Sequence, residues 1–234
     1  MTDHVALPEP ELPPHYHAII EEVCRAGDRL IVMQPSIYNA QDVAVKTDGT
    51  IVTAADLASE EILLRAIRTY APRPHRVVSE ERAPSLVEDT VQPTWFVDPL
   101  DGTRSYASGS TDFAILVSAW AAGQPMFSVV HYPALGELAV AAGRQAAWIP
   151  PSPLAAPAAN ASQSGVLHAC YMRSQTLRRL AMESGIAAYR EDEVESTRAL
   201  LDVAIGAASA AVVLLCGHKS WDLAPLLHLT RIRE

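Results

Sequence analysis

A strand-like apolar segment that runs into two acids constrains the fold of this chain more than any other feature. It reads "WFVDPLDGTRSY", from Trp95 to Tyr106. We expect the strand to end at Asp98, because the nitrogen of Pro99 has no hydrogen to donate to a sheet ladder. Gly102 then predicts a sharp turn. Such a turn would direct the carboxylates of Asp98 and Asp101 into one cleft, where they repel each other unless a cation lies between them.

The residues at this turn are suited to binding an anion beside that cation. A helix beginning near Thr103 would leave the backbone N–H groups of Gly102 and Thr103 pointing into the same cleft, and helix N-termini attract negative charge. Hard cations bound by oxygen ligands suit the two carboxylates. The competing interpretation is ordinary turn chemistry, since Asp-Pro and Asp-Gly pairs are common in turns.

Three further acids share one property with this segment, because each lies where a strand is expected to end or a helix to begin. Glu80 follows the strand-like run "RVVS", Asp56 follows a predicted helix N-cap at Thr53, and Asp222 lies in the first turn of a predicted final helix. Each acid alone also has a structural explanation: a solvated loop, a capping box or the helix dipole. Together they predict a site for several Mg²⁺ ions, which take few protein carboxylates and complete their shells with water and substrate phosphate.

The order of the other predicted elements indicates mixed α and β structure. The apolar spacing predicts helices from about residue 15 to 33 and after Thr53. Short strands are predicted over 76–80, 94–98, 113–120, 126–132 and 136–143, and turn residues between the last three predict an antiparallel meander. Beyond residue 165 we expect, in order, a strand over 166–172, helices over 174–184 and 197–205, a strand over 210–216 and a helix from about 219.

A proline-rich stretch of small and polar residues divides the chain in two. It covers residues 150–165 and predicts a connecting loop. We therefore expect an N-terminal α+β part over 1–149, which carries most of the acids described above, and a C-terminal α/β part over 166–234, which contributes Asp222.

Charge and composition exclude several classes of partner. The chain has 18 Lys and Arg against 27 Asp and Glu, a net charge of −9, and no basic run, so we expect neither a nucleic-acid polymer nor an anionic membrane as partner. We see no apolar run long enough for a membrane helix and no secretory signal in the acidic, proline-rich N-terminus. The three cysteines lack CxxC spacing, which favours a reducing compartment, the cytoplasm.

Four segments, in this order along the chain, resemble motifs of the inositol monophosphatase superfamily of Mg²⁺-dependent, lithium-sensitive phosphatases. They are "KTDGTIVTAAD", "VVSEE", "WFVDPLDGT" and "WDLAP", and they span Lys46 to Pro225. The resemblance implies an α+β fold with αβαβα layers and mixed and antiparallel sheets, as in inositol monophosphatase and fructose-1,6-bisphosphatase. It also implies a homodimer.

The same resemblance implies oxygen ligands for two to three Mg²⁺ ions. The implied ligands are Glu80, Asp98 and the Leu100 carbonyl for a first ion, Asp98, Asp101 and Asp222 for a second, and Asp56, through water, for a third. Glu80, Asp98 and Thr103 would be the catalytic residues, with the Thr103 hydroxyl and Glu80 orienting the attacking water. Asp101 and the backbone N–H groups of Gly102 and Thr103 would face the substrate phosphate, and Lys46 would be a nearby polar support.

Three features depart from the family pattern. The segment "VESTRALLDVAIG" resembles a family helix that helps to select the leaving group, but Glu195 replaces its glycine, so Glu195 and Ser196 are candidate substrate contacts. Arg104 resembles a basic residue of the 3′-phosphoadenosine 5′-phosphate phosphatase branch, although an exposed helix position is our preferred interpretation. Family members usually continue beyond the last motif with a glycine turn and a strand, so we expect a C-terminal part shorter than is usual in the family.

The function expected from the resemblance is Mg²⁺-dependent hydrolysis of a small phosphate monoester on a phosphorylated metabolite, most simply as an inositol monophosphatase. The alternatives are a 3′(2′),5′-bisphosphate nucleotidase and a histidinol-phosphatase. A catalytically silent, metal-binding member of the family is the alternative outside enzymes.

Overall fold

The computed structural model describes residues 12–40, 43–46, 51–82, 92–150, 166–170, 179, 183, 188–191, 196–205, 210–213 and 219–232. Its helices are α1 (Pro14–Ala40), α2 (Ala54–Tyr70), α3 (Thr103–Ala107), α4 (Ser196–Ile205) and α5 (Ser220–Arg231). Its strands are β1 (Val43–Val45), β2 (Ile51–Thr53), β3 (Arg76–Ser79), β4 (Thr94–Asp101), β5 (Ala114–Ala121), β6 (Gln124–Tyr132), β7 (Glu137–Ala142), β8 (Gln145–Ile149), β9 (Val166–Cys170), β10 (Ala188–Glu191) and β11 (Ala210–Val213). Short 3₁₀ turns cover Glu80–Arg82 and Pro133–Leu135.

The largest sheet has six strands in the order β3-β4-β5-β6-β7-β8. β3 is parallel to β4, and the other neighbours are antiparallel, so the predicted meander of β5, β6 and β7 is confirmed. The sequence did not indicate β8, because its alanine-rich, partly exposed segment has weak strand propensity. A second sheet pairs β10, β9 and β11 in parallel, and β1 and β2 form a hairpin.

Apolar side chains cover both faces of the six-stranded sheet. On one face α1 and α2 pack against it, and the ring of Tyr16 stacks on Phe127 at 4.2 Å between centroids. On the other face α4 and α5 bury Leu201 and Leu226 against Val130. Successive strand residues point to opposite faces, which is why Val129 belongs to the first cluster and Val130 to the second. α4 also contacts β9 and β11, so helices, sheet, helices and sheet follow one another as layers.

Two local predictions were wrong, and tertiary contacts explain both. α1 runs through Pro35 to Ala40, beyond the predicted end near residue 33, and the Gln34 amide there donates to the carbonyls of Tyr106 at 3.1 Å and Ser110 at 2.7 Å. β4 does not end at Asp98, because pairing with β5 resumes at Asp101 after an irregularity. Pro99 lies within this irregularity, where the ladder needs no N–H donor.

Other predictions lie partly or wholly outside the described residues. These are the connecting loop over 150–165, of which only residue 150 is described, most of the helix over 174–184, and Glu195. The division into parts over 1–149 and 166–234 stays a prediction. No helix in the described segments combines the length and apolar character needed to cross a membrane.

Candidate functional site

The irregular end of β4 holds its backbone and carboxylate groups in one compact arrangement. Asp98 is 2% exposed, and its Oδ1 accepts a hydrogen bond from the Leu100 backbone nitrogen at 3.0 Å. Ser59 of α2 donates to the Pro99 carbonyl at 2.7 Å. The Leu100 carbonyl accepts from the Thr103 hydroxyl at 3.0 Å. Contacts on both sides therefore hold this bulge in place.

The turn into α3 requires glycine. Gly102 has φ +78°, and a Cβ at this position would lie 3.0 Å from the Asp112 carbonyl oxygen. This left-handed conformation is open to glycine at little cost. α3 then begins at Thr103, as the sequence predicted, and Arg104 is exposed on it, in agreement with the preferred interpretation.

Asp56 joins the start of α2 to the start of α3. Its Oδ2 accepts from the backbone nitrogen of Thr53 at 2.7 Å and from the Thr53 hydroxyl at 2.6 Å, which confirms the predicted capping box. Its Oδ1 lies 3.1 Å from the Thr103 hydroxyl oxygen. Burial raises the pKa of Asp56, while the hydrogen bonds from Thr53 and Thr103 oppose that rise. The side chain thus acts as a helix cap and also contacts a candidate catalytic residue.

Lys46 bridges the two glutamates that follow β3. Its Nζ lies 2.8 Å from Glu80 Oε1 and 2.8 Å from Glu81 Oε1. Burial raises the pKa of Glu81 to about 7, against the effect of the Lys46 hydrogen bond. No sequence pattern gave Glu81 a role of its own, although it adjoins Glu80 in the chain. Lys46 is closer to the site than a general polar support, because it contacts Glu80 directly.

The acids from β4, from the turn after β3 and from α5 act on one another electrostatically. Burial first, and then the charges of Glu80, Asp101 and Asp222, raise the pKa of Asp98 well above its ordinary value. Burial also raises the pKa of Asp222 to about 6, although its Oδ2 accepts from the Lys219 backbone nitrogen at 2.6 Å. The structure therefore brings together four acids from three segments that are far apart in the sequence.

These acids meet mainly around Asp98 rather than around a preformed cavity for an ion. Among the described residues, no three side chains of His, Cys, Asp or Glu form a group ready to hold a metal ion. Lys46 contacts Glu80, and the Lys219 backbone takes up one oxygen of Asp222. The donor set itself fits Mg²⁺, since it consists of carboxylates and the Leu100 carbonyl, and Mg²⁺ prefers oxygen ligands.

The predicted substrate contacts on α4 are only partly described. Glu195 lies outside the described residues, and Ser196 is the first residue of α4. In the same turn the Arg198 guanidinium forms ion pairs with Glu137, which is fully buried, and with Asp202. The Arg198 Cζ atom lies 5.0 Å from the centre of the Tyr132 ring. No sequence pattern identified Arg198, because its partner Glu137 lies on β7, far away in the chain.

Comparison with known proteins supports a single family. The family model described as "Inositol monophosphatase family" matches residues 17–231. The 3′(2′),5′-bisphosphate nucleotidase CysQ of Shigella flexneri is 33% identical over 132 residues, which cover 53% of this chain and 52% of that protein. The chain thus spans about half the length of the curated relatives it matches.

Solved structures share the fold at low sequence identity. The extragenic suppressor protein SuhB of Bartonella henselae is 20% identical, with a TM-score of 0.71 over 92% of this chain and 83% of that one. An inositol monophosphatase/NADP phosphatase complexed with NADP and Ca²⁺ is 18% identical, with a TM-score of 0.69 over 94% and 83%. The layered α+β fold expected from the motifs is confirmed. The match to the family model covers most of this chain, and the chain therefore belongs to the inositol monophosphatase family.

Proposed function

We propose that this protein is a Mg²⁺-dependent phosphatase that hydrolyses a small phosphate monoester, with water as the nucleophile. The observation that carries this proposal is the burial of Asp98 among the charges of Glu80, Asp101 and Asp222. A phosphate monoester is itself an anion, so this cluster would repel it without cations between them. The oxygen donors of the cluster suit Mg²⁺, and the Ca²⁺ in a structure of a related phosphatase supports a divalent cation.

The ligand assignment is the one that the family resemblance implies, and the mutual effect of the charges of Asp98, Glu80, Asp101 and Asp222 supports it. Glu80, Asp98 and the Leu100 carbonyl would hold one Mg²⁺, Asp98, Asp101 and Asp222 a second, and Asp56, through water, a third. When bound, Mg²⁺ supplies positive charge that screens the phosphate from the carboxylates and polarises its oxygens.

The chain itself would bind the phosphate and orient the water. The backbone N–H groups of Gly102 and Thr103, at the start of α3, would donate to phosphate oxygens. The Thr103 hydroxyl has one hydrogen, which it can give to Asp56 or to the Leu100 carbonyl. The Thr103 oxygen would then accept a hydrogen bond from one hydrogen of the attacking water, and Glu80 would accept one from the other hydrogen.

Phosphate release by the purified chain tests this proposal. We expect release with Mg²⁺, none with EDTA, and a fall to background in Asp98→Asn, which removes the charge shared by both principal ions. Asp28→Asn, which changes an exposed acid on α1, is the matched control and should keep full activity. Full activity in Asp98→Asn would refute the assignment.

A second candidate function is a 3′(2′),5′-bisphosphate nucleotidase. The similarity to CysQ favours it, and the exposed Arg104 beside Thr103 would offer a cation to a second phosphate. A panel of inositol 1-phosphate, histidinol phosphate and 3′-phosphoadenosine 5′-phosphate would separate the candidates. Arg104→Ala should raise KM only for the bisphosphate. Metal binding by calorimetry without turnover of any of these compounds would indicate a catalytically silent member.

We further propose that the protein acts on its metabolite as a cytoplasmic, Li⁺-inhibited homodimer, with parts over 1–149 and 166–234 joined by 150–165. The family supports the dimer and the lithium inhibition, and the spacing of the cysteines supports the compartment. Light scattering would test the dimer, since a monomeric mass at micromolar concentration would refute it. A Li⁺ titration of phosphate release would test the inhibition.

A further inference from the structure

One buried acid near the site has no place among the candidate ligands. Glu60 lies on α2, one helical turn beyond Asp56, and is fully buried. Its neighbours on the buried side of this helix are mostly apolar, among them Leu63 and Ile67. A buried carboxylate is costly unless it is paired and hydrogen-bonded, so its contacts indicate what it does.

Both oxygens of Glu60 contact the segment that carries Glu80. The Ser79 hydroxyl donates to Oε1 at 2.6 Å, and the Arg82 Nε donates to Oε2 at 2.7 Å. Ser79 immediately precedes Glu80, and Arg82 is the last residue of the 3₁₀ turn. Glu60 therefore fixes this turn at both ends, while Glu80 and Glu81 between them stay directed toward Lys46.

The same side of α2 also contacts the other segments of the site. Asp56 contacts Thr103 at the start of α3, and Ser59 contacts the Pro99 carbonyl in the β4 bulge. Glu60 supplies the third contact, to Ser79 and Arg82 on either side of Glu80. Since α2 is a long helix packed on the sheet, it offers a rigid frame on which the three segments keep their relative positions.

We infer that Glu60 is a positioning residue, which sets the place of Glu80 for metal binding by holding Ser79 and Arg82. It contacts neither metal nor substrate itself. The inference rests on the proposed function, because it matters only if Glu80 binds Mg²⁺. Partners that orient metal ligands typically change metal affinity by about 10- to 100-fold when they are replaced.

The test compares Mg²⁺ binding by the full chain and three variants, using calorimetry and the Mg²⁺ dependence of phosphate release. Glu60→Gln keeps the side-chain shape and should weaken Mg²⁺ affinity about 10- to 100-fold, with most of kcat recovered at saturating Mg²⁺. Arg82→Gln removes the exposed partner, whose side chain is 62% accessible, and should weaken Mg²⁺ affinity several-fold. It should also lower the melting temperature, because the buried Glu60 loses its cation. Glu22→Gln is the matched control, a buried glutamate on α1 that is paired with Arg25 at 2.6 Å. Its Mg²⁺ affinity should stay within about twofold of the wild type.

Each outcome supports or overturns the inference. Wild-type Mg²⁺ affinity in Glu60→Gln, with only a lower melting temperature in EDTA, would show a structural role and overturn it. Equal weakening in Glu22→Gln would overturn it as well, since the effect would be general. If Glu60→Gln does not fold, an unchanged Mg²⁺ affinity in Arg82→Gln decides against the inference. A wild-type chain that neither binds Mg²⁺ nor releases phosphate would overturn the proposed function, and the inference with it.

Discussion

Replacing Asp222 by asparagine should stabilise the metal-free protein. Burial and the charge of Glu80 raise the pKa of Asp222 from 3.8 to about 6, so its negative charge is unfavourable in the folded state. A shift of about 2 pKa units corresponds to about 3 kcal/mol. Asparagine has the same shape without the charge, and its carbonyl can still accept the Lys219 N–H. In EDTA at pH 8 the free energy of unfolding of Asp222→Asn should exceed that of the wild type by up to about 3 kcal/mol.

The pH dependence of this difference follows from the sign of the shift. The folded pKa of Asp222 lies above its unfolded value, so its destabilising effect is absent below about pH 4 and complete above about pH 6. The two proteins should therefore be almost equally stable at pH 4 and differ most at pH 8. Glu81, whose pKa is raised to about 7, destabilises both proteins equally as the pH rises and cancels in the comparison.

Urea unfolding followed by tryptophan fluorescence measures these differences, with and without Mg²⁺. Bound Mg²⁺ stabilises the wild type by about 2.7 kcal/mol at a free concentration 100 times its Kd, whereas Asp222→Asn should gain much less. The advantage of Asp222→Asn in EDTA should therefore shrink by most of this amount when Mg²⁺ replaces EDTA. Asp28→Asn should show neither effect. A less stable Asp222→Asn in EDTA at pH 8, or a difference that does not change with pH, would refute the electrostatic reasoning.

Two further predictions concern residues that shape the site. Gly102→Ala should destabilise the protein by more than Gly123→Ala. Both glycines have positive φ, but only a Cβ at Gly102 meets a close neighbour, and strain of this kind costs about 1–3 kcal/mol. Equal unfolding free energies of the two variants would contradict this prediction. Arg198→Met should cost about 3 kcal/mol or more, because it leaves the buried carboxylate of Glu137 without its cation. Adding Glu137→Gln should recover part of that loss in urea unfolding, and no recovery would show that packing, not charge, carries the effect.

Sequence patterns were sufficient for the elements whose signals are local. The meander of β5, β6 and β7 follows from apolar runs separated by turn residues, and α3 begins at Thr103 because Gly102 allows the turn. The patterns failed where a distant contact overrode a local rule. Pro99 predicted the end of a strand, but pairing with β5 continues beyond it, and Pro35 lies inside α1.

The candidate site was predictable as a set of residues but not as an arrangement. The motifs pointed to Glu80, Asp98, Asp101 and Asp222, and the structure shows that their charges act on one another. No pattern indicated that Lys46 would bridge Glu80 and Glu81, because a hydrogen bond between distant segments leaves no periodic trace in the chain. The role of each ligand stays a prediction, which the variants above would test.

The sequence by itself determined the chemistry that is available and the local geometry that presents it. The capping box of Thr53 and Asp56 is an example, since its two residues lie within one helical turn and need no other part of the chain. Only the tertiary structure decided the electrostatic environment of those groups. The raised pKa values of Asp98 and Asp222 arise because packing of β3, β4 and α5 buries like charges together. Burial and charge proximity depend on distances between segments, and those distances exist only once the layers have packed.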